Sequence, residues 1–218
     1  MTTSAALPAR RSRHGAVLPA RFFARGTELV ARDLLGAILE CRTADGVASG
    51  RIVETEAYLG EHDAACHAAA GLTARTAPLY GPPGSAYVYF IYGMHWCVNA
   101  VTRARGLPSA VLIRAVSPVA GLALMRDRRG HPRRDVDLTN GPAKLCDALG
   151  IDGRHNACSL QRSPLVIRAS APVADGEVVV TPRIGIRRAA DWLLRFAVAG
   201  DPFVSRTPPN FPRRRYSP

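Results

Sequence analysis

Apolar and polar positions recur with two different periods along the chain. Leu29, Val30, Leu34 and Leu35 share one stripe of a 3.6-residue period, which predicts a helix over 28–35 with Thr27 as N-cap and Gly36 as stop. The period then drops to two. Residues 37–43 and 47–58 read as strands around Asp45 and Gly46, a pair suited to the positive φ of a hairpin turn. Along the second strand, simple alternation puts Ile52, Glu54, Glu56 and Tyr58 on one face. Residues 61–83 are polar and punctuated by Gly and Pro, hence a loop. Aromatic and β-branched residues alternate from Gly84 and predict a strand ending in a tight turn at Gly93. Another strand follows over 109–116. Ser117 and Pro118 then read as N-cap and first residue of a helix running to Gly130. Asn140, Gly141 and Pro142 open a short helix through Leu149 that stops at Gly150, and strands are expected around 164–169, 177–186 and 193–199. No internal repeat is visible. The mixture predicts one α+β domain.

Composition narrows the partner. The 218 residues are 47% hydrophobic, enough for one real core. The net charge of +12 calls for a polyanion, either nucleic acid or an anionic membrane surface. No apolar run approaches the ~18 residues of a membrane span. Five scattered cysteines, none in a Cys-x-x-Cys pair, suit reduced thiols in a cytoplasmic protein better than a disulfide framework or a zinc site. Residues 1–20 read as a disordered basic arm and 207–218, rich in Pro and Arg, as a disordered tail, leaving 21–206 as the domain.

Three groups of residues could carry chemistry. Glu54 and Glu56 share a strand face, and Arg114 ends an apolar run that could cross a sheet to meet them; a carboxylate beside an arginine suits activation of water. Residues 84–99 hold Tyr87, Tyr89, Tyr92 and Trp96, flat rings fit for stacking on bases. The loop offers His62, Asp63, Cys66 and His67, whose spacing matches no common metal-ligand signature.

The runs 51–60, 84–99, 111–118 and 140–149, in colinear order within roughly 20–206, resemble the alkyladenine (3-methyladenine) DNA glycosylase family. The resemblance implies a curved, largely antiparallel β-sheet flanked by helices, and a monofunctional enzyme that flips and hydrolytically excises alkylated purines from duplex DNA. It implies that Glu56 is the general base and that Arg114 helps to hold the water. Tyr58 and Tyr89 correspond to the walls around the flipped base, with His67 as a third, hydrogen-bonding wall. Tyr92 corresponds to the ring inserted into the duplex, and Asn99 to the residue that excludes the guanine amine. Met94, Cys97 and Ile186 fall at apolar contacts beside the inserted ring or the pocket. Arg75, Arg187 and Arg188 are candidate phosphate contacts; the last two replace a glycine-histidine pair, and His95 stands where an aromatic is common. No metal or organic cofactor is implied. The expected partner is double-stranded DNA carrying lesions such as 3-methyladenine, 7-methylguanine or hypoxanthine, bound by a monomer at the nucleoid. A silent nucleic-acid-binding protein and a metal hydrolase built on His62, Asp63 and His67 are the alternatives; Glu56 with Arg114 argues against the first, and ligand spacing against the second.

Overall fold

The computed structural model describes residues 15–217, and its α+β architecture is an open antiparallel sheet with few, short helices. Two helices, α1 (Ala20–Phe23) and α2 (Thr27–Asp33), precede the hairpin of β1 (Ile38–Thr43) and β2 (Gly46–Tyr58). After a long loop come β3 (Ala86–Ile91), β4 (His95–Thr102) and β5 (Ser109–Ala120). Helices α3 (Leu122–Arg128) and α4 (Pro142–Leu149) lead to β6 (Gln161–Arg162), β7 (Leu165–Arg168), β8 (Val178–Thr181), β9 (Arg195–Val198) and β10 (Arg214–Arg215).

Strand β2 is the hub. One edge pairs with β1 through residues 46–51 and with β9 through residues 54–56, while β5 runs along the other edge. The first half of β2 thus carries β1, β7 and β6, the second half β9, β8 and β10, and the far edge β5, β4 and β3. Between the two halves the register with β5 skips Val53, then skips Arg114 on the partner strand. These are β-bulges, devices that re-aim side chains.

Alternation divides the side chains into two layers. Val88, Val98, Ala100, Val111 and Ile113 join the main core, whereas Tyr87, Val101 and Ala110 join a smaller cluster with Cys66, Ala68 and Leu79 from the loop. The main core lies against the helices; the second cluster underlies the site.

Four expectations change. Ile52 and Ala57 both belong to the main core, because the Val53 bulge reverses the alternation; Ile52 therefore does not share the face of Glu54 and Glu56. Ser117 and Pro118 continue β5 opposite Arg51 and Gly50 instead of opening a helix, since β2 still offers a ladder edge there. The helix begins only after Gly121, at φ 78°. The described parts of both ends pack onto the sheet. Residues 1–14 of the expected arm lie outside the described residues, but Val17 bridges Arg168 and buried Leu18 donates its N–H to the Ile167 carbonyl. At the tail, expected to be disordered from 207, Arg214 and Arg215 pair with Val180 and Val179, and Tyr216 packs edge-on against Phe196. An open edge of β8 and one apolar ring explain why the tail settles there.

Candidate active site

The hub strand delivers three polar side chains to the second layer. Glu56 is fully buried, and three donors converge on it: the Tyr58 hydroxyl at 2.9 Å and Arg114 Nη1 at 3.2 Å on Oε2, and the Ile184 N–H at 2.7 Å on Oε1. Burial and the adjacent Glu56 push the Tyr58 phenol well above its ordinary range, so it remains a donor. Arg114 reaches this place because its bulge points it between two carboxylates, Nε lying 2.8 Å from Glu54 Oε1.

Glu54 is the more heavily bonded of the pair. Besides Arg114 it accepts Arg195 Nε at 2.7 Å, and the Ser205 N–H and hydroxyl each at 2.7 Å. Burial disfavours its charge, but the Arg114 and Arg195 guanidiniums outweigh it and hold Glu54 below its ordinary value.

In front of this network lies a cavity of about 310 Å³, at the small end of ligand pockets, which run to about 300–1,000 Å³. Tyr58, His67, Tyr89, Cys97, Asn99, Tyr92, Arg114 and Ile186, all candidate residues in the sequence, line it together. Glu56 is not in the wall itself but one contact behind, reached through Tyr58 and Arg114.

The aromatic walls are supported from behind. The Tyr89 ring stacks on Tyr87 at 5.3 Å and meets His67 edge-on at 4.5 Å. The Tyr87 hydroxyl lies 2.9 Å from His67 Nδ1, so a tyrosine with no assigned role braces two walls at once. Burial, aided by the Arg75 charge, lowers the His67 value below 6.5, leaving a neutral imidazole at neutral pH. Asn99 is held by its amide, which donates to the Tyr87 carbonyl at 3.0 Å. Arg183 lies 4.6 Å over the Tyr58 ring and forms a fully buried fork with Asp63, 2.5 and 2.8 Å. Asp63 also accepts the N–H groups of Leu59 and Ala65, which fixes the loop entry. This pair, unassigned in the sequence, removes Asp63 from any ligand set with His62 and His67. Among the described residues no three His, Cys, Asp or Glu side chains converge.

Tyr92 stands at the tip of the β3–β4 hairpin, 79% exposed, at φ 54° with Gly93 following at 66°. A bulky residue in that region costs about 1–3 kcal/mol and persists where function holds it. Met94 is exposed beside it, and His95 opens β4 opposite Ile91. Arg75 sits outside the cavity wall, 5.9 Å from the Tyr89 ring centroid. Arg187 and Arg188 are exposed just beyond Ile186 and take no part in the wall. The cavity can therefore hold a flat ring between aromatic faces, with a carboxylate–arginine pair behind and a ring-bearing turn beside it.

Comparison with known proteins places the sequence in a family. The family described as Methylpurine-DNA glycosylase matches residues 21–202. A protein of Myxococcus xanthus named "Putative 3-methyladenine DNA glycosylase" is 47% identical over 201 residues, covering 91% of this chain and 97% of its own. A protein of the same name from Methanoculleus marisnigri is 48% identical over 192 residues, covering 87% and 98%. One from Carboxydothermus hydrogenoformans is 44% identical over 191 residues, covering 87% and 99%. Since the matched span takes in the hub strand, the aromatic hairpin and both arginine-bearing strands around the buried carboxylates, the chain belongs to the methylpurine-DNA glycosylase family.

Proposed function

We propose that this DNA glycosylase flips N-alkylated purines out of duplex DNA and hydrolyses their N-glycosidic bond, leaving an abasic site. The observation that carries the reading is the buried Glu56–Arg114 pair directly behind an aromatic cavity. Duplex binding draws on the +12 charge, whose phosphate contacts release counterions. Extrusion costs a few kcal/mol, less for a weakened base pair, and the strained Tyr92 occupies the vacated stack. The flipped base lies between Tyr58, His67 and Tyr89. A cationic alkylpurine gains about 0.5–2 kcal/mol there from electron-rich rings, which neutral adenine does not.

Glu56 takes a proton from water as the water oxygen bonds to C1′, and the electron pair of the breaking C–N bond leaves with the base. Arg114 orients both carboxylate and water, and the negative carboxylate steadies the developing sugar cation. A Schiff-base route needs an amine at this place. The chain's one lysine, Lys144, instead donates to Asn140 at 2.7 Å and lines no part of the cavity. Glu56 and a water supply hydrolysis instead. Asn99, pinned to the Tyr87 carbonyl, presents a fixed edge against the amine of guanine.

Incubation with duplexes containing 3-methyladenine, 7-methylguanine or hypoxanthine, in EDTA, tests this. Release of free base with an abasic product is expected; release abolished by chelator, or strand cleavage without an abasic intermediate, overturns it. Tyr92→Ala is expected to slow single-turnover release from duplex about tenfold, the equivalent of roughly 1.4 kcal/mol of lost stacking. Equal rate and affinity on duplex would remove its wedge role.

A further inference from the structure

The second carboxylate has no place in the hydrolysis as written, yet it is the better bonded of the two. Glu54 and Arg195 are both fully buried, and their surroundings reach into the C-terminal segment: Arg195 Nη1 donates to Thr181 and Thr207 hydroxyls at 3.0 Å, and Nη2 to the Ser205 carbonyl at 3.2 Å. Six hydrogen bonds tie Glu54 and Arg195 to each other and to Thr181, Ser205 and Thr207, although neither charged group lines the cavity. Structural economy alone does not require this. A buried charge pair is commonly no more stabilising than an apolar substitute, so its retention asks for a reason.

Arg114 supplies the reason. Its guanidinium divides itself, Nε to Glu54 and Nη1 to Glu56. Without Glu54 the same planar fork could turn both donors onto Glu56, the preferred bidentate geometry. A carboxylate gripped in that way is a weaker base and less open to water. We propose that Glu54, fixed by Arg195 and Ser205, is a positioning residue that holds Arg114 to a single contact with Glu56 and so keeps the base reactive. The C-terminal segment 205–207 is then part of the active-site framework. The inference rests on the role proposed above for Glu56.

Charge makes the proposal testable. The groups facing the two carboxylates are Arg114 from β5, Arg195 from β9, Tyr58 from β2, Tyr89 and Cys97 from the hairpin, and Arg183 beyond β8 with its partner Asp63. Two arginines and two glutamates in the inner cluster balance. Glu54→Gln leaves an excess positive charge beside Glu56. It should lower kcat for release of 3-methyladenine about ten- to a hundredfold, a fraction of the roughly 10²–10⁴ due to a general base, with lesion-DNA affinity unchanged. Because the base works in its ionised form, loss of a neighbouring negative charge should also move the acid limb of the kcat profile down by about one pH unit. Adding Arg195→Gln restores the charge balance and should return the limb to its wild-type position.

A wild-type protein that releases no base would refute the proposed function and not this inference. Wild-type release with an unmoved limb in Glu54→Gln, or a double variant whose limb fails to return, overturns the inference alone. If Glu54→Gln does not fold, Ser205→Ala carries the test. It removes one hydrogen bond and no charge, and a two- to fivefold loss in kcat at constant affinity is expected; wild-type kcat overturns the proposal.

Discussion

Glu56→Gln is expected to bind lesion-containing duplex as wild type does and to release base about 10²–10⁴-fold more slowly. The amide fills the same space but cannot accept a proton, so the loss should lie in the chemical step. It also cannot reproduce the carboxylate's bonding. Oε1 accepts the Ile184 N–H while Oε2 accepts Tyr58 and Arg114; an amide has one acceptor and must turn its NH₂ toward one set of donors. That mismatch costs about 1–3 kcal/mol of stability. The measurement therefore pairs single-turnover release with thermal melting. A folded variant with wild-type release would sink the base assignment, and lost DNA affinity would move Glu56 from chemistry to binding.

The second large effect concerns stability. Asp63→Ala leaves Arg183 fully buried without its counter-charge, and breaking such a pair costs about 3–5 kcal/mol. For a chain of this size that is a Tm lower by about 6–20 °C. The Tyr58 wall should loosen with it, because Arg183 lies against that ring. A double change of Asp63→Leu with Arg183→Met should cost less than the sum of the single changes, since neither charge is then stranded. Strictly additive losses would mean that the pair is not coupled. The sign of the pH dependence follows from Asp63. Burial opposes its charge, but Arg183 and two backbone N–H groups hold it below its ordinary 3.8. Its contribution is present above that value and is lost as pH falls through the lower folded one. Wild type should lose stability with acid below about pH 3.8, and Asp63→Ala should have a flatter acid limb.

How much of this was legible in the chain depended on distance in sequence. Tyr58, Tyr89 and Asn99 lie on strands, with Tyr92 at the turn between two of them, and their grouping in one cavity follows from pairing of neighbouring strands. Arg114 announced itself by ending an apolar run. Arg183 and Arg195 carry the same kind of signal, an arginine at the end of an apolar strand or the start of one, but nothing local names their partners. Arg183 meets Asp63 across 120 residues and Arg195 meets Glu54 across 141. Pairing at that range is a product of the tertiary fold. Tyr87 was legible as sharing the face of Tyr89; its hydroxyl bond to His67 required knowing where the loop lands. Where residues 17–18 and 214–216 pack was not legible, because composition says nothing of an unpaired strand edge waiting elsewhere.

The skipped residue at Val53 has a consequence for which changes the gene can tolerate. Side chains on a strand point by parity, so the count of residues before Glu54 matters as much as their identity. Losing the Val53 codon would leave Ile52 on the core face and Glu54 next on the opposite face by regular alternation, so Glu54, Glu56 and Tyr58 would keep their side of the sheet. A change that drew Val53 into regular register would instead turn Glu54, Glu56 and Tyr58 toward the apolar layer, removing the base, its positioning carboxylate and a stacking wall together.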